Sequence, residues 1–403
     1  MNPIRKTSQA RILCIADVPN WIFDRHIAYL RRHLSDEFEI ITTYRGEAYD
    51  EQDYDLIYPL EFMLVEPERI QRPDKYITGI RSFISWADWD FFKLVEMLST
   101  KFRRLHTVSS ELLDLLSPFL PHMSYVTHGV DLELFKSERP PGDKAGHLRL
   151  GWAGNRNTFI KGFWRYIQPL STLPGIELKI CGFADQNLSL EQMPEFYESI
   201  DALICASSFE GSNNTLLEAA SMERAIITTR VGTVPEYLAD RESALIVERD
   251  LDQITNAVLE LRDDPGLRLN LGRNARKSLV EKHWDWKHRA EIYRRFFRDA
   301  LGAENGGQAR PQNITPKNDP ENLLKVLQVQ NQLLRELRVG DGVQIYDLKA
   351  EKARREQELM HEIDALEETI QEIRSSETYR LMQKVLSNRL AQGLIKLIKK
   401  VTD

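Results

Sequence analysis

Cysteine is scarce in this 403-residue chain, occurring only as Cys14, Cys181 and Cys205. Each lies inside an apolar strand-like run ("RILCIAD", "LKICGF", "DALICASS"), where a free thiol behaves as a small buried hydrophobe. A disulfide framework is therefore not expected. Runs of about 18 consecutive apolar residues are also missing, so no segment reads as a transmembrane span. The opening "MNPIRKTSQARILCIAD" passes from a short basic stretch straight into a strand pattern, without the apolar core of a signal peptide. A cytoplasmic setting is the expectation. Nor is there an excess of positive charge: 54 Lys and Arg against 61 Asp and Glu give a net charge of −7, so no global basic field points to nucleic acid. His and Cys do not cluster at metal-ligand spacing, and no metal is expected.

What is present is a repeated alternation. From 11 to 135, short apolar runs ("RILCIAD", "FEIITTY", "LIYPLEF", "YITGIRSF", "RLHTVSS", "SYVTHGV") are interleaved with helical patterns near 21–34 and 90–101. Interleaving of this kind implies parallel strands joined by crossovers. The polar stretch "KSERPPGDKAGH" reads as a linker, after which the alternation restarts with "LRLGWAG", the helical "FIKGFWRYIQPLSTL", "IELKICGF", "ALICASS" and "AIITTRVG". The expected architecture is α/β: two Rossmann-like, doubly wound domains, 1–137 and 138–282, facing across a cleft, with a helix at 283–300 returning toward the first domain.

Beyond 301 the composition changes. Residues 301–320 are rich in Gly, Pro and Asn and read as a flexible linker. A core that ends before this linker is expected to fold without the residues beyond it. Over 321–375, Leu323, Leu327, Leu334 and Leu337, then Leu359, Ile363, Leu366, Ile370 and Ile373, recur at heptad spacing, which predicts a coiled coil and, through it, a homo-oligomer. The last stretch, 376–403, carries six Lys and Arg against two acids, with an apolar face from Met382 to Val401. A basic amphipathic helix of this type fits peripheral contact with an anionic membrane, at the inner face in a cytoplasmic protein, or packing against the coiled coil.

The chemistry concentrates in "FEGSNNTLLEAAS", residues 209–221. Strand "ALICASS" precedes it and an apolar helical stripe comes after, so the small polar residues form a turn at the carboxyl end of a parallel strand, where such folds bind ligands. Gly211 lets a ligand approach the backbone. Ser212, Asn213 and Asn214 occupy the N-cap and first turn, where amides without intrahelical partners suit phosphate. Glu210 and Glu218 are separated by roughly 12 Å along the helix axis, too far to flank one scissile bond and suited to the two ends of an elongated ligand. Arg156 and Lys161, just after the first strand of the second unit, offer a guanidinium fork and a point charge to a diphosphate.

Together "EGSNNTLLE", "NRNTFIKG" and "THGVDLELF" resemble the motifs of family-4 glycosyltransferases of the two-domain GT-B fold, over about residues 1–300. The resemblance implies a hexosyltransferase-like enzyme that moves a sugar from a nucleotide-sugar donor to a hydroxyl acceptor, whether glycan, lipid-linked or other, with retention and without a metal. It implies that Arg156 and Lys161 hold the diphosphate, Glu210 the donor sugar, Glu218 the ribose and the amides of 212–214 the phosphates. Glu210, Arg156 and Lys161 are then the catalytic candidates. The nucleotide-sugar is a substrate, and no cofactor is expected. Three features depart from the pattern: Asn155 replaces a glycine, His128 an asparagine, and the first loop, "DVPNWIFDRH", has no glycines. Asp17, Trp21 and His26 are the acceptor-side candidates in that loop. Asp88 and Asp90 have the D-x-D spacing of metal-binding transferases, but they sit where N-cap and first-turn acids are expected. The rival readings are a nucleotide-sugar epimerase on the same fold and a non-catalytic scaffold that binds sugar nucleotides.

Overall fold

The computed structural model describes residues 9–182, 188–302, 320–340, 359–361, 363–371 and 374–375. The expected amphipathic helix at 376–403, and most of the 301–320 linker, lie outside the described residues.

Buried parallel strands read as unbroken apolar runs because both of their faces are covered. Strand β1 (Ala10–Ala16) shows this, with Ile12, Leu13, Cys14 and Ile15 all in the core. It leads through α1 (Ile22–Leu34) to β2 (Phe38–Tyr44), β3 (Leu56–Pro59) and β4 (Ile77–Ile80). Next come α2 (Phe91–Lys101), β5 (Arg104–Thr107), α3 (Ser110–Leu116) and β6 (Met123–Tyr125). The strands are parallel in the orders β2-β1-β3 and β4-β5-β6, joined by a bridge between Ile57 and Tyr76. Asp90 caps α2 by accepting from the Lys93 amide at 3.0 Å, so this half of the D-x-D pair is used by a helix terminus.

The second unit is built from β7 (Leu148–Ala153), β8 (Ile176–Cys181), α4 (Met193–Glu198), β9 (Ala202–Cys205), α5 (Asn214–Ser221), β10 (Ala225–Thr228), α6 (Val234–Tyr237) and β11 (Leu245–Ile246). Helices α7 (Leu251–Asp263) and α8 (Pro265–Glu281) complete it. Its five-stranded parallel sheet runs β11-β10-β9-β7-β8. One element differs from the sequence reading. Residues 159–172 are not a regular helix but a series of tight and wide turns. Gly162 adopts φ +68°, with a Cβ there lying only 2.9 Å from the Ala206 carbonyl oxygen, and Pro169 lacks an amide.

Residues 136–147, read as a linker, are laced to the second unit. Gly142 donates its amide to Asp201 at 2.6 Å and accepts from Arg268 at 2.7 Å. The chain crosses between the units at 128–131 and again at 284–286, and the crossings pair: Val130 donates to the Trp284 carbonyl at 2.9 Å and Trp286 to the Val130 carbonyl at 3.2 Å. Helix α9 (Trp286–Gly302) then packs on the first unit. Tyr293, Phe296 and Phe297 enter its core, and Arg294 and Arg298 pair with Glu37.

The expected coiled coil needs correction. Helix α10 (Pro320–Gly340) lays Leu323, Val326, Leu327, Leu333 and Leu334 into the core of the first unit. Val326 and Leu333 broaden the heptad seam into the wide stripe of a globular core helix. Its outer side meets the described helical residues at 359–361, 363–371 and 374–375 in antiparallel fashion: Glu321 pairs with Arg374 at 2.9 Å, while Asn331 reaches the Met360 sulfur. The apolar stripe is covered within the chain. Among the described residues no helix is long and apolar enough to cross a membrane.

Because α10 covers first-unit core, the expectation that the chain folds without its tail reverses. Deleting 302–403 should expose apolar core and lower the melting temperature by about 5 °C or more, with loss of soluble yield. Scanning calorimetry and light scattering check this; a truncated chain that melts like the full one would make α10 an ornament.

Candidate active site

Strand order places the site. In the second sheet β7 is flanked on one side by β8 and on the other by β9, so the winding direction reverses between β7 and β9. The loops leaving the carboxyl ends of these two strands diverge there and open a crevice. They are the segments carrying Arg156 and Lys161 after β7, and Glu210 to Asn214 after β9.

Lys161 and Glu210 are in direct contact, Nζ to Oε1 at 2.5 Å, with 23% and 12% of their side chains exposed. The same carboxylate oxygen accepts from the Ser207 hydroxyl at 2.7 Å and the Asn213 amide at 3.3 Å. Burial pushes the Lys161 ammonium down, but the Glu210 carboxylate outweighs it and the net shift is upward. Lys161 is therefore firmly cationic. Arg156 is placed differently: its guanidinium lies over the ring of the exposed Trp164, 5.9 Å from the centroid. The structure thus joins Lys161 to Glu210 and turns Arg156 toward Trp164.

Asn213 caps α5, its side-chain oxygen accepting from the Thr215 amide at 3.0 Å and the Thr215 hydroxyl at 2.8 Å. The Ser212 hydroxyl meets Nε2 of His128 at 3.4 Å and the Thr233 hydroxyl at 3.3 Å. Gly211 has a more immediate use than ligand access. A Cβ there would lie 1.8 Å from the Arg81 carbonyl oxygen, so glycine lets the β9 loop press onto the first unit.

Glu218, on α5, takes a hydrogen bond from the Tyr197 hydroxyl at 2.7 Å. Burial raises its carboxyl to about 7, against the lowering effects of Tyr197 and Arg25. It opens onto a crevice between the units, lined also by Arg25 and Tyr29 of α1, Asp131, and Trp286 of α9. Glu210 and Glu218 consequently occupy different surroundings, one neutralised by Lys161 and one beside the first unit.

His26, from the first loop and α1, lines the same crevice. Its Nε2 lies 3.3 Å from the Asn214 side-chain oxygen, and its Nδ1 3.4 Å from the Arg81 guanidinium. Arginine can only donate, so Nδ1 accepts and Nε2–H donates to Asn214. Burial, then the Arg81 charge, pushes the His26 imidazole down to about 3, so it is neutral. The His128 ring packs against it, tilted, at 4.4 Å between centroids and is likewise pushed down, chiefly by burial. Asp17 stands at the end of β1 with a buried Oδ1 that has no partner, its carboxyl raised by burial. Trp21 precedes α1 and accepts from the Arg25 amide through its carbonyl at 3.0 Å.

Several contributors escaped sequence reading. Ser207 carried a weak signal, as the first of the two serines before "FEG". Arg81 carried none: it is buried, donates to the Tyr58 and Tyr293 hydroxyls and the Leu60 carbonyl, each at 2.8 Å, and is recognisable only once β3, β4 and α9 meet. Tyr197 and Trp286 carried no signal. Among the described residues no group of three or more His, Cys, Asp or Glu is arranged to hold a metal ion.

Comparison with known proteins bears on this site. A family model described as "Glycosyl transferases group 1" matches residues 148–264, the stretch that holds both loops. The chain is 28% identical over 111 residues to the capsular polysaccharide biosynthesis glycosyltransferase CapM of Staphylococcus aureus, covering 27% of this chain and 29% of that one. It is 32% identical over 126 residues to a D-inositol 3-phosphate glycosyltransferase of Acidothermus cellulolyticus, covering 30% and 28%. The matches span less than a third of either of these curated relatives. Among solved structures, a sucrose-phosphate synthase from Thermosynechococcus elongatus superposes with a TM-score of 0.60 at 12% identity, over 73% of this chain and 100% of that one. Anabaena HepE, in complex with UDP and glucose, gives 0.57 at 10%, over 72% and 99%. At such identities these likenesses establish the fold, two parallel Rossmann-like α/β domains. The family match falls on the domain that carries Lys161, Glu210 and Glu218, and that domain is similar to those of the group 1 glycosyltransferases, within a two-domain fold of GT-B type.

Proposed function

We propose that the chain transfers a sugar from a nucleotide-sugar donor to a hydroxyl acceptor in the crevice between its two Rossmann-like domains, with retention and without a metal. The observation that carries the reading is the meeting of Lys161 and Glu210 at the switch point of the second sheet, with Glu218 one helix away in the interdomain crevice. The donor diphosphate would displace Lys161 from Glu210 and take its charge. The Glu210 carboxylate, still held by Ser207 and Asn213, is then left for the hydroxyls of the donor sugar. Arg156, on its short loop, supplies a second cation once it leaves Trp164, and the amides of 212–214 receive the phosphates. Fixed positive charge of this kind stabilises a departing diphosphate as it gains charge, which is the service a metal renders in other transferases. Glu218 accepts from the ribose hydroxyls.

The acceptor is read from weaker ground. Two relatives are named for capsular polysaccharide and lipopolysaccharide core biosynthesis, and a glycan or lipid-linked acceptor of that general kind suits a crevice whose far wall is Arg25, His26 and Tyr29. With His26 neutral and hydrogen-bonded in the wall, and His128 neutral behind it, acceptor orientation rather than proton transfer is the role open to His26.

A thermal-shift series with nucleoside diphosphates tests the donor reading, since a ligand at a hundred times its Kd stabilises the folded state by about 2.7 kcal/mol. Lys161→Ala should cut acceptor-independent donor hydrolysis by roughly 10²-fold, because the charge it supplies matters most at the leaving phosphate. Wild-type turnover in a folded Lys161→Ala protein would remove the residue from the chemistry. A chain that binds no nucleoside diphosphate and hydrolyses no donor would instead be a scaffold.

Glu218 makes affinity pH-dependent with a definite sign. Its carboxyl is raised to about 7 in the free protein, and ribose hydroxyls bind the ionised form. Diphosphate-nucleoside affinity should therefore be full above that value and fall as pH drops through it, by up to about tenfold per unit. Glu218→Gln serves as the control for titration of the phosphate itself. Calorimetry between pH 5.5 and about 8.5 should find the difference between the two proteins vanishing at the acid end. A constant difference across the range would take Glu218 out of the nucleotide site.

A further inference from the structure

Helix α10 does more than cover the first domain. Its middle is fixed there: the buried Gln330 amide donates to the Trp86 carbonyl at 3.1 Å and the Trp89 carbonyl at 3.0 Å, between Leu327 and Leu333 in the core. Two turns on, the helix crosses to the second domain. The Glu336 carboxylate pairs with Arg249 at 2.7 Å, with only 17% and 20% of the two side chains exposed, and also accepts from the Ser208 hydroxyl.

Arg249 is already committed on its other edges. It donates to the Ala206 carbonyl at 2.9 Å, in the loop after β9, and to the Ile160 carbonyl at 3.0 Å, in the loop after β7, and it lies over the Tyr166 ring. The Ser208 amide donates to Ile160 as well, at 2.9 Å. These bonds tie together the segments that end in Lys161 and Glu210. Gly162 closes the turn beneath them, where a Cβ would sit 3.1 Å from the Arg249 guanidinium. Ile160 and Phe209, on either side of the tie, are buried in the first-domain core that α10 also enters, and α10 packs directly on the 159–161 turn.

We propose that Glu336 and Arg249 are positioning residues for the donor site: α10, anchored on the first domain, latches the two loops of the second domain that present Lys161 and Glu210. The ion pair is mostly shielded and its guanidinium fork is shared with backbone carbonyls. Removing Glu336 would therefore leave a partly buried cation uncompensated beside both loops. The proposal rests on the donor-site reading for its functional consequence, but the latch itself is a statement about loop order and can be measured without any ligand.

The test is Glu336→Ala in the full chain, read by amide hydrogen exchange and by calorimetry with UDP and GDP. Exchange of the amides of Lys161, Gly162 and Ser208 should quicken by about tenfold or more, while β7 and β9 exchange as in wild type. Affinity for whichever diphosphate wild type binds should fall by at least about fivefold. Glu336→Gln, which keeps the acceptor oxygen and loses the charge, should show both effects at smaller amplitude and carries the test if the alanine protein does not fold. Wild-type exchange in both loops, with wild-type affinity, would overturn the assignment. Faster exchange throughout the chain would also overturn it, making α10 a general stability element. If wild type binds neither diphosphate, the donor-site reading suffers and the exchange result alone decides the latch.

Discussion

The junction between the two domains is organised around one buried charge, the guanidinium of Arg81. A buried cation is tolerated only when its donors are met, since stranding it costs several kcal/mol. Here the acceptors come from separate elements: Leu60 after β3, Tyr58 in β3, Tyr293 in α9 and His26 in α1. Satisfying Arg81 therefore requires that the first sheet, its opening helix and the returning helix all be in register. The charge also sets the chemistry around it. Burial first, and the Arg81 field after it, hold the His26 and His106 imidazoles well below their usual range. Both stay uncharged at neutral pH.

The same residue transmits the first domain's position to the loop after β9. Gly211 packs its backbone on the Arg81 carbonyl, and Gly232 packs in turn on the Gly211 carbonyl, where a Cβ would stand at 2.4 Å. His26 to Asn214 and His128 to Ser212 cross the junction beside them. A loop seated this way cannot be rearranged by a ligand without disturbing interdomain contacts. Any ligand that moves this loop must therefore also shift the domain packing.

Much of this was legible in the sequence, for identifiable reasons. Strands covered on both faces leave apolar runs, and their alternation with helical patterns gave the parallel α/β reading. The Gly, Ser and Asn cluster directly after a strand marked the β9 loop, and the basic pair marked the β7 loop. Pairings between distant residues left no trace, because a single sequence encodes what a side chain can do and not whom it meets. Nothing in the run "YITGIRSF" or in the helical pattern after 283 indicated that Arg81 and Tyr293 would meet. Tyr197 gave no sign that it would hold Glu218. The irregular course of 159–172 was misread because its apolar spacing fits a helix, although Gly162 and Pro169 are the residues that break one.

The tail shows what a heptad pattern leaves open. Apolar residues at this spacing specify a stripe along a helix, and the identity of the surface that buries it is extra information. For α10 that information lies in residues off the seam. Val326 and Leu333 make the stripe too wide for a two-stranded coil, and Gln330 interrupts it with a polar group. In a self-associating coil such a glutamine would need its own copy as partner, the usual way a buried polar residue fixes register. In this chain its amide is satisfied by the carbonyls of Trp86 and Trp89, so register is fixed against the first domain instead. From there Glu336 lies six positions on, about 9 Å along the axis, which is the reach needed to leave one domain and meet Arg249 on the other.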